Sequence, residues 1–256
     1  MFLKIFSPLE QFEILPLVAI QYGIIDLSLT NQTVFLFLTL IFITLFFNLL
    51  LKPSDNTLFV IPTRWQYFFE LFYNLILSMV VDNIAVKNSQ KFFPLIFSLF
   101  IFIASLNLIG LIPYSFTVTS HFIVTLTLSL TIFIGINIIG VQIHGLKIFS
   151  LFLPQGTPVL LAFLLVPVEF ILYLFRPLSL AIRLFCNMMA GHTLLKIFAG
   201  FAWSLMGLTG IFFFFHYIPL ITLIPLMGLE LGVALVQAFV FCLLTCIYLN
   251  DVINLH

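Results

Sequence analysis

One arginine inside a long apolar run has the most chemistry to offer. Arg183 sits within PLSLAIRLFCNMMA, residues 177–190. A charge at bilayer depth costs about 2.5–3.5 kcal/mol on insertion scales, and more on an isolated helix. Glu169 and Arg176 lie upstream of it, and Asn187, His192 and Lys196 downstream. Ionisable groups gathered inside an apolar segment read as an ion or proton pathway. On a helix advancing 100° per residue, Glu169, Arg176, Arg183 and Asn187 share a stripe about 40° wide. His192 and Lys196 then point to another face, and the bend expected at Pro177 loosens all these angles. Glu169 and Arg183 are ~21 Å apart along such a helix, too far for an ion pair, so the partner of Arg183 must come from elsewhere.

A second apolar stretch repeats the theme. Glu230 and Gln237 are seven residues apart and share a helical face, within GLELGVALVQAF. Gly and Ala there permit close helix approach. If the two stretches form a hairpin, Glu230 and His192 meet as a carboxylate–imidazole proton relay. Plainer readings compete. Arg183 or Lys196 snorkels to a helix end, Glu230 makes an internal ion pair with Arg183 or Arg176, and His192 is a satisfied interior histidine. Asn107 hydrogen-bonds a neighbouring helix, and His121, His144, His216 and His256 are interfacial.

The elements that position these residues follow from composition. The 256 residues are 63% hydrophobic and 7% charged, with a mean hydropathy of +1.29. Soluble domains carry about 25% charged residues, so this is an all-α integral membrane protein. The net charge of zero leaves no basic face for nucleic acid. Cys186, Cys242 and Cys246 have no metal or disulfide spacing and read as buried small hydrophobes. MFLKIF at the start resembles neither a transit peptide nor a cleavable signal. No cofactor or metal site is expected.

Spanning ~30 Å of hydrocarbon takes about 20 helical residues. That predicts about five transmembrane helices in one membrane domain, residues 1–256, with spans at 34–51, 92–112 and 118–143. Residues 62–86 mix Trp65, Phe68, Phe72 and Met79 with Arg64, Glu70 and Asp82 at helical spacing, as in an interfacial amphipathic helix. The stretches 157–207 and 211–252 are too long for single upright crossings; each is two short spans or one strongly tilted helix. Lys52, Arg64, Lys87, Lys91 and Lys147 fall on one side of this topology, which places the N-terminus on the other.

Several stretches together carry a family resemblance. VPVEFILYLFRPLSLAIRLFCNMMAGH, NLIGLIPYSFTVTSH, HGLKIFSLFLPQGTP and LELGVALVQAFVFCLLTCIYLNDVINLH resemble subunit a, the proton-channel subunit of F-type ATP synthase, most closely its mitochondrial form. SPLEQFEI and IPTRWQYFFELFYNLILSMVVDNI are similar too, so the resemblance covers nearly the whole chain in order, and R-L-x-x-N-x-x-A-G-H is its most specific part.

The resemblance implies that Arg183 faces a rotating c-ring and that Asn187, His192, Glu230 and Gln237 line a half-channel. Glu169 matches the acidic residue of the other half-channel, Asp251 matches a further acidic position, and Arg176 looks more like plant, algal and fungal forms. It implies a tilted hairpin for the last two helices. Its partners would be c-ring proteolipids, peripheral-stalk and other stator subunits and the lipid bilayer. Its location would be the mitochondrial inner membrane, with an energy-transducing bacterial membrane as the alternative. No Gly-x-x-x-x-Gly-Lys-Ser/Thr loop occurs, so no nucleotide is held through that motif. Two other classes compete: a secondary transporter would show two similar halves, and a haem-bearing subunit would pair histidines on facing helices. Neither pattern is visible.

Overall fold

The computed structural model describes residues 7–22, 25–51, 64–84, 86–112, 115–145, 147–148, 159–207 and 214–254. Six α-helices account for most of them: α1 (Asn31–Leu51), α2 (Arg64–Asn83), α3 (Val86–Gly110), α4 (Phe122–His144), α5 (Val159–Met206) and α6 (Tyr217–Ile253). Five of these, all but α2, are long and apolar enough to cross a membrane. The protein is a multi-pass, all-α membrane protein. Helices prevail because the hydrocarbon offers no hydrogen bonds, and a helix satisfies its backbone within one segment. Pro94, Pro167, Pro177 and Pro225 lie inside helices, which membrane helices tolerate where neighbouring groups take up the freed carbonyl.

The two longest stretches resolve as one continuous helix each. α5 has 48 residues and α6 has 37. At 1.5 Å per residue their paths are ~72 and ~56 Å, against ~30 Å of hydrocarbon. α3 begins six residues before the apolar run, taking in Lys87 and Lys91, since intrahelical bonds do not require apolar side chains. α2 is amphipathic, with Ile76, Met79, Val80 and the following Ile84 buried while Arg64, Glu70 and Asp82 are exposed.

The N-terminal region holds structure that apolar periodicity does not signal. A 3₁₀ turn at Pro8–Phe12 is capped by Ser7. Four short strands follow, β1 (Pro16–Val18), β2 (Gln21–Tyr22), β3 (Ile25–Asp26) and β4 (Leu29–Thr30), with β2 pairing β3 and β1 pairing β4, both antiparallel. Thr30 and Thr33 then exchange side-chain-to-backbone hydrogen bonds, a capping-box pattern that starts α1.

Backbone contacts gather the chain into two compact units. One comprises Met1–Thr39, Ala104–Thr125 and Arg183–Gln237; the other comprises Leu40–Ile103, Leu126–Ile182 and Ala238–His256. In the second unit, phenylalanines join three helices. Phe69 of α2 meets Phe47 of α1 at 5.3 Å and Phe97 of α3 at 5.7 Å between ring centroids, both edge-on. Phe72 reaches Phe100 and Tyr73 reaches Phe93. Edge-to-face rings give rigid, specific contacts, a use for part of the chain's 34 phenylalanines. Of the three cysteines, Cys242 and Cys246 are buried as expected, but Cys186 is exposed. It lies on the outer face of α5, a place apolar composition cannot distinguish from the inner one.

Ile76 is fully buried. Ile76→Ala should cost about 2–5 kcal/mol and Ile76→Val about 1 kcal/mol, read as graded drops in the thermal unfolding midpoint of the purified assembly. Equal midpoints for both variants would show that α2 is not packed through this residue.

Candidate functional site

In the first unit, α5 and α6 meet through polar side chains. Asn187 Nδ2 donates to Gln237 Oε1 at 2.9 Å. His192 Nε2 lies 3.5 Å from Glu230 Oε1. Five residues forward on α5 thus match seven residues back on α6, as expected of antiparallel helices. Leu184 and Met188, 1% and 2% exposed, form the seam between the edges held by Asn187 and His192. The stripe drawn from the sequence therefore needs correcting: Asn187 and His192 are 140° apart on α5, yet both reach α6, because the buried face is wide enough to include both edges.

Glu230 is only 4% exposed. Its carboxylate rests on the backbone of Gly191, where an added Cβ would come within 2.7 Å of Oε1 and 3.0 Å of Cδ. A side chain at position 191 would push the carboxylate away. Both oxygens of Glu230, His192 Nε2 and Gln237 Nε2 are buried without a hydrogen-bond partner among the described residues. Beside them is a cavity of about 230 Å³, lined by Asn187, Gly191, Leu195, Leu226, Glu230 and Val233. That is room for several waters, each needing about 30 Å³ in the liquid. Asn107 of α3 completes the group by donating from Nδ2 to the Ala234 carbonyl at 3.2 Å, the neighbouring-helix bond expected of it.

Arg183 differs from all of these. It is exposed, on the face of α5 that also exposes Ile182, Leu194, Ile197 and Phe201. Among the described residues it makes no hydrogen bond or ion pair. Glu230 does not pair with it; that carboxylate is turned to His192 and Gly191. Lys196 does not sit at a helix end, since α5 continues for ten more residues; its Nζ donates to the Ser7 carbonyl at 3.4 Å.

The second unit holds the other three candidates. Arg176 Nη1 pairs with Asp251 Oδ2 at 2.9 Å, and its guanidinium lies 5.4 Å from the Tyr173 ring and 5.1 Å from the Tyr248 ring. The Tyr173 hydroxyl donates to Asn137 Oδ1 of α4. Glu169 is partly buried, with no ion pair among the described residues. Asn137, Tyr173, Tyr248 and Gly191 were not legible as site residues. The tyrosines left a signal: each stands three residues before a member of the Arg176–Asp251 pair, Tyr173 before Arg176 and Tyr248 before Asp251.

The chain is similar in sequence to known proteins. The family model described as ATP synthase A chain matches residues 33–250. A Marchantia polymorpha protein named ATP synthase subunit a is 51% identical over 252 residues, covering 98% of this chain and 99% of its own length. The protein of the same name from Chondrus crispus is 51% identical over 250 residues, covering 98% and 97%. ATP synthase subunit a-2 of Arabidopsis thaliana is 50% identical over 258 residues, covering 99% of this chain and 73% of that protein.

The contact between Gly191 and Glu230 has a measurable consequence. Gly191→Ala should destabilise by about 1–3 kcal/mol, as overpacking does, and Glu230→Asp, shorter by one methylene, should recover most of that loss in the double variant. Additive effects in thermal unfolding would mean the two residues do not touch.

Proposed function

The chain belongs to the ATP synthase A chain family, and on that premise we propose that it is the proton-translocating stator subunit of an F-type ATP synthase. It supplies two aqueous half-channels to and from the carboxylates of a c-ring. It works as one integral membrane domain in the mitochondrial inner membrane, beside c-ring proteolipids, peripheral-stalk and other stator subunits. Catalysis belongs to another part of the complex.

A proton enters one half-channel, neutralises a c-ring carboxylate, travels with the ring and leaves by the other. Glu230, His192, Asn187 and Gln237 serve one half-channel; Glu169, with Arg176 and Asp251 in the same compact unit, serves the other. Each elementary charge carried across the membrane yields ~2.3 kcal/mol per 100 mV, which turns the ring against load.

The observation that carries this reading is Arg183, unpaired among the described residues on an exposed apolar face. A guanidinium there costs about 2.5–3.5 kcal/mol in hydrocarbon. A carboxylate 4 Å away returns ~4 kcal/mol at an effective dielectric near 20, enough to offset the cost. No acidic residue pairs with Arg183 among the described residues, and in this reading that carboxylate comes from another polypeptide. A passing c-ring carboxylate is thereby kept ionised opposite Arg183, and protons do not run directly from one half-channel to the other.

Arg183→Ala should abolish proton-driven ATP synthesis while ATP hydrolysis by the soluble head persists; normal coupled synthesis in that variant would refute the role of the arginine. Glu230→Gln should slow proton flux in fully assembled complexes, whereas unchanged flux would leave Glu230 a structural carboxylate.

A further inference from the structure

Another cavity, of about 550 Å³, differs in kind from the one beside Glu230. It is a groove walled by one face of α3 between Leu95 and Phe102, one face of α4 between Leu128 and Ile139, and Leu40 and Ile43 of α1. The two hydroxyls in this wall are satisfied by their own helices: Ser98 Oγ donates to the Leu95 carbonyl and Thr131 Oγ1 to the Leu128 carbonyl, each at 2.9 Å. A wall with no unmet hydrogen bonds does not hold water. Gly135 stands in it, and a Cβ added there meets nothing within 4 Å, so the space beyond is open.

Shape selects the occupant. From Leu128 to Ile139 the wall runs ~17 Å along α4, so the volume corresponds to a mean cross-section of about 30 Å². An α-helix about 10–12 Å across needs about 80–110 Å². The groove is too narrow for a transmembrane helix of another subunit and wide enough for an extended hydrocarbon tail. α1 gains most from such a filler: among its described side chains only Thr39 is buried, and unfilled apolar walls forfeit dispersion contacts.

One end of the groove is basic. Lys91 is exposed and lies one turn before Leu95, on the helical stripe that continues through Ser98 and Phe102. Lys147 is exposed too. Its neighbour Ile148 packs on Gly140, one turn past the wall residue Ile136, where an added Cβ would meet Ile148 Cδ1 at 2.6 Å. As consecutive spans, α3 begins and α4 ends on the same side of the membrane, the side where Lys and Arg concentrate. Asp251, two residues past the wall residue Leu249, is already neutralised by Arg176 at 2.9 Å.

We propose that this groove binds one acyl tail of an anionic phospholipid from the surrounding bilayer, with the phosphate held at Lys91 and Lys147. The tail lies along α3 and α4 and ties α1 to them, while the head group stays at the basic membrane surface. Basic pockets between transmembrane helices take anionic lipid head groups in this way. A zwitterionic lipid offers the same tail but brings its own cation to the two lysines, so it binds less well. The site depends on the chain being a membrane protein and not on proton translocation, so it stands or falls separately from the function proposed above.

The test uses the assembled complex in phosphatidylcholine vesicles containing a little phosphatidylglycerol whose acyl tail carries a photoreactive diazirine. After irradiation, labelled positions are mapped by mass spectrometry. Label at Leu99 and Ile136, in the groove, should exceed label at Ile134 and Ile138, which are 54% and 52% exposed on α4 and report bulk lipid. The same tail on phosphatidylcholine should give a smaller excess. Gly135→Phe, whose ring has open space to enter, should remove the excess and leave Ile138 labelled as before. Lys91→Gln should lower the preference for phosphatidylglycerol over phosphatidylcholine about fivefold, ~1 kcal/mol. No excess in the parent complex, equal excess from both lipids, or an unchanged preference in Lys91→Gln would each overturn the site, as would Gly135→Phe labelled like the parent. Should Gly135→Phe fail to assemble, Lys91→Gln, at an exposed position, decides alone.

Discussion

The absence of water from the hydrocarbon governs this protein. Backbone groups in that medium must bond within their own segment, so the chain is helical across its apolar stretches. Polar side chains there must find partners or water, so each one marks either a helix–helix contact or a wet site. Asn187 with Gln237, and Asn107 with the Ala234 carbonyl, are contacts of the first kind. Glu230, with both oxygens unpartnered beside a cavity, is of the second. The same rule that builds the helix pair also singles out the buried carboxylate beside it.

Two arginines seven residues apart on α5 show how environment divides labour. Arg176 is committed: Asp251 takes its charge, two tyrosine rings flank it, and Asn137 anchors one of them. Arg183 is uncommitted, with apolar neighbours and no partner among the described residues. A guanidinium already neutralised has little left for a passing carboxylate, while one left open interacts strongly because the surroundings screen it poorly. The candidate residues likewise fall into two groups, five in one compact unit and three in the other.

Glycine acts through closeness at Gly191 and Gly110. At both places a neighbouring side chain occupies the space a Cβ would take. Gly191 gives the Glu230 carboxylate a seat against bare backbone, and Gly110 lets Thr117 lie against α3. In each case a residue with no chemistry of its own fixes where a chemical group stands.

The number of long apolar helices, the amphipathic character of α2 and the presence of Arg183, His192 and Glu230 within apolar helices were readable from the chain alone. They depend on local quantities, namely apolar run length, periodicity and the cost of a charge in oil. The choice between one long helix and two short spans was not, because hydropathy records what a segment dissolves in and not how it lies. Nor were the partnerships: Asn187 and His192 share a neighbour from opposite edges of α5, Arg176 belongs to Asp251, and the small β-hairpins before α1 arise in a stretch without apolar periodicity. Sequence spacing sets an angle on a helix. Which angles become an interface depends on the width of the buried seam and on residues tens of positions away, and only the packed chain decides that.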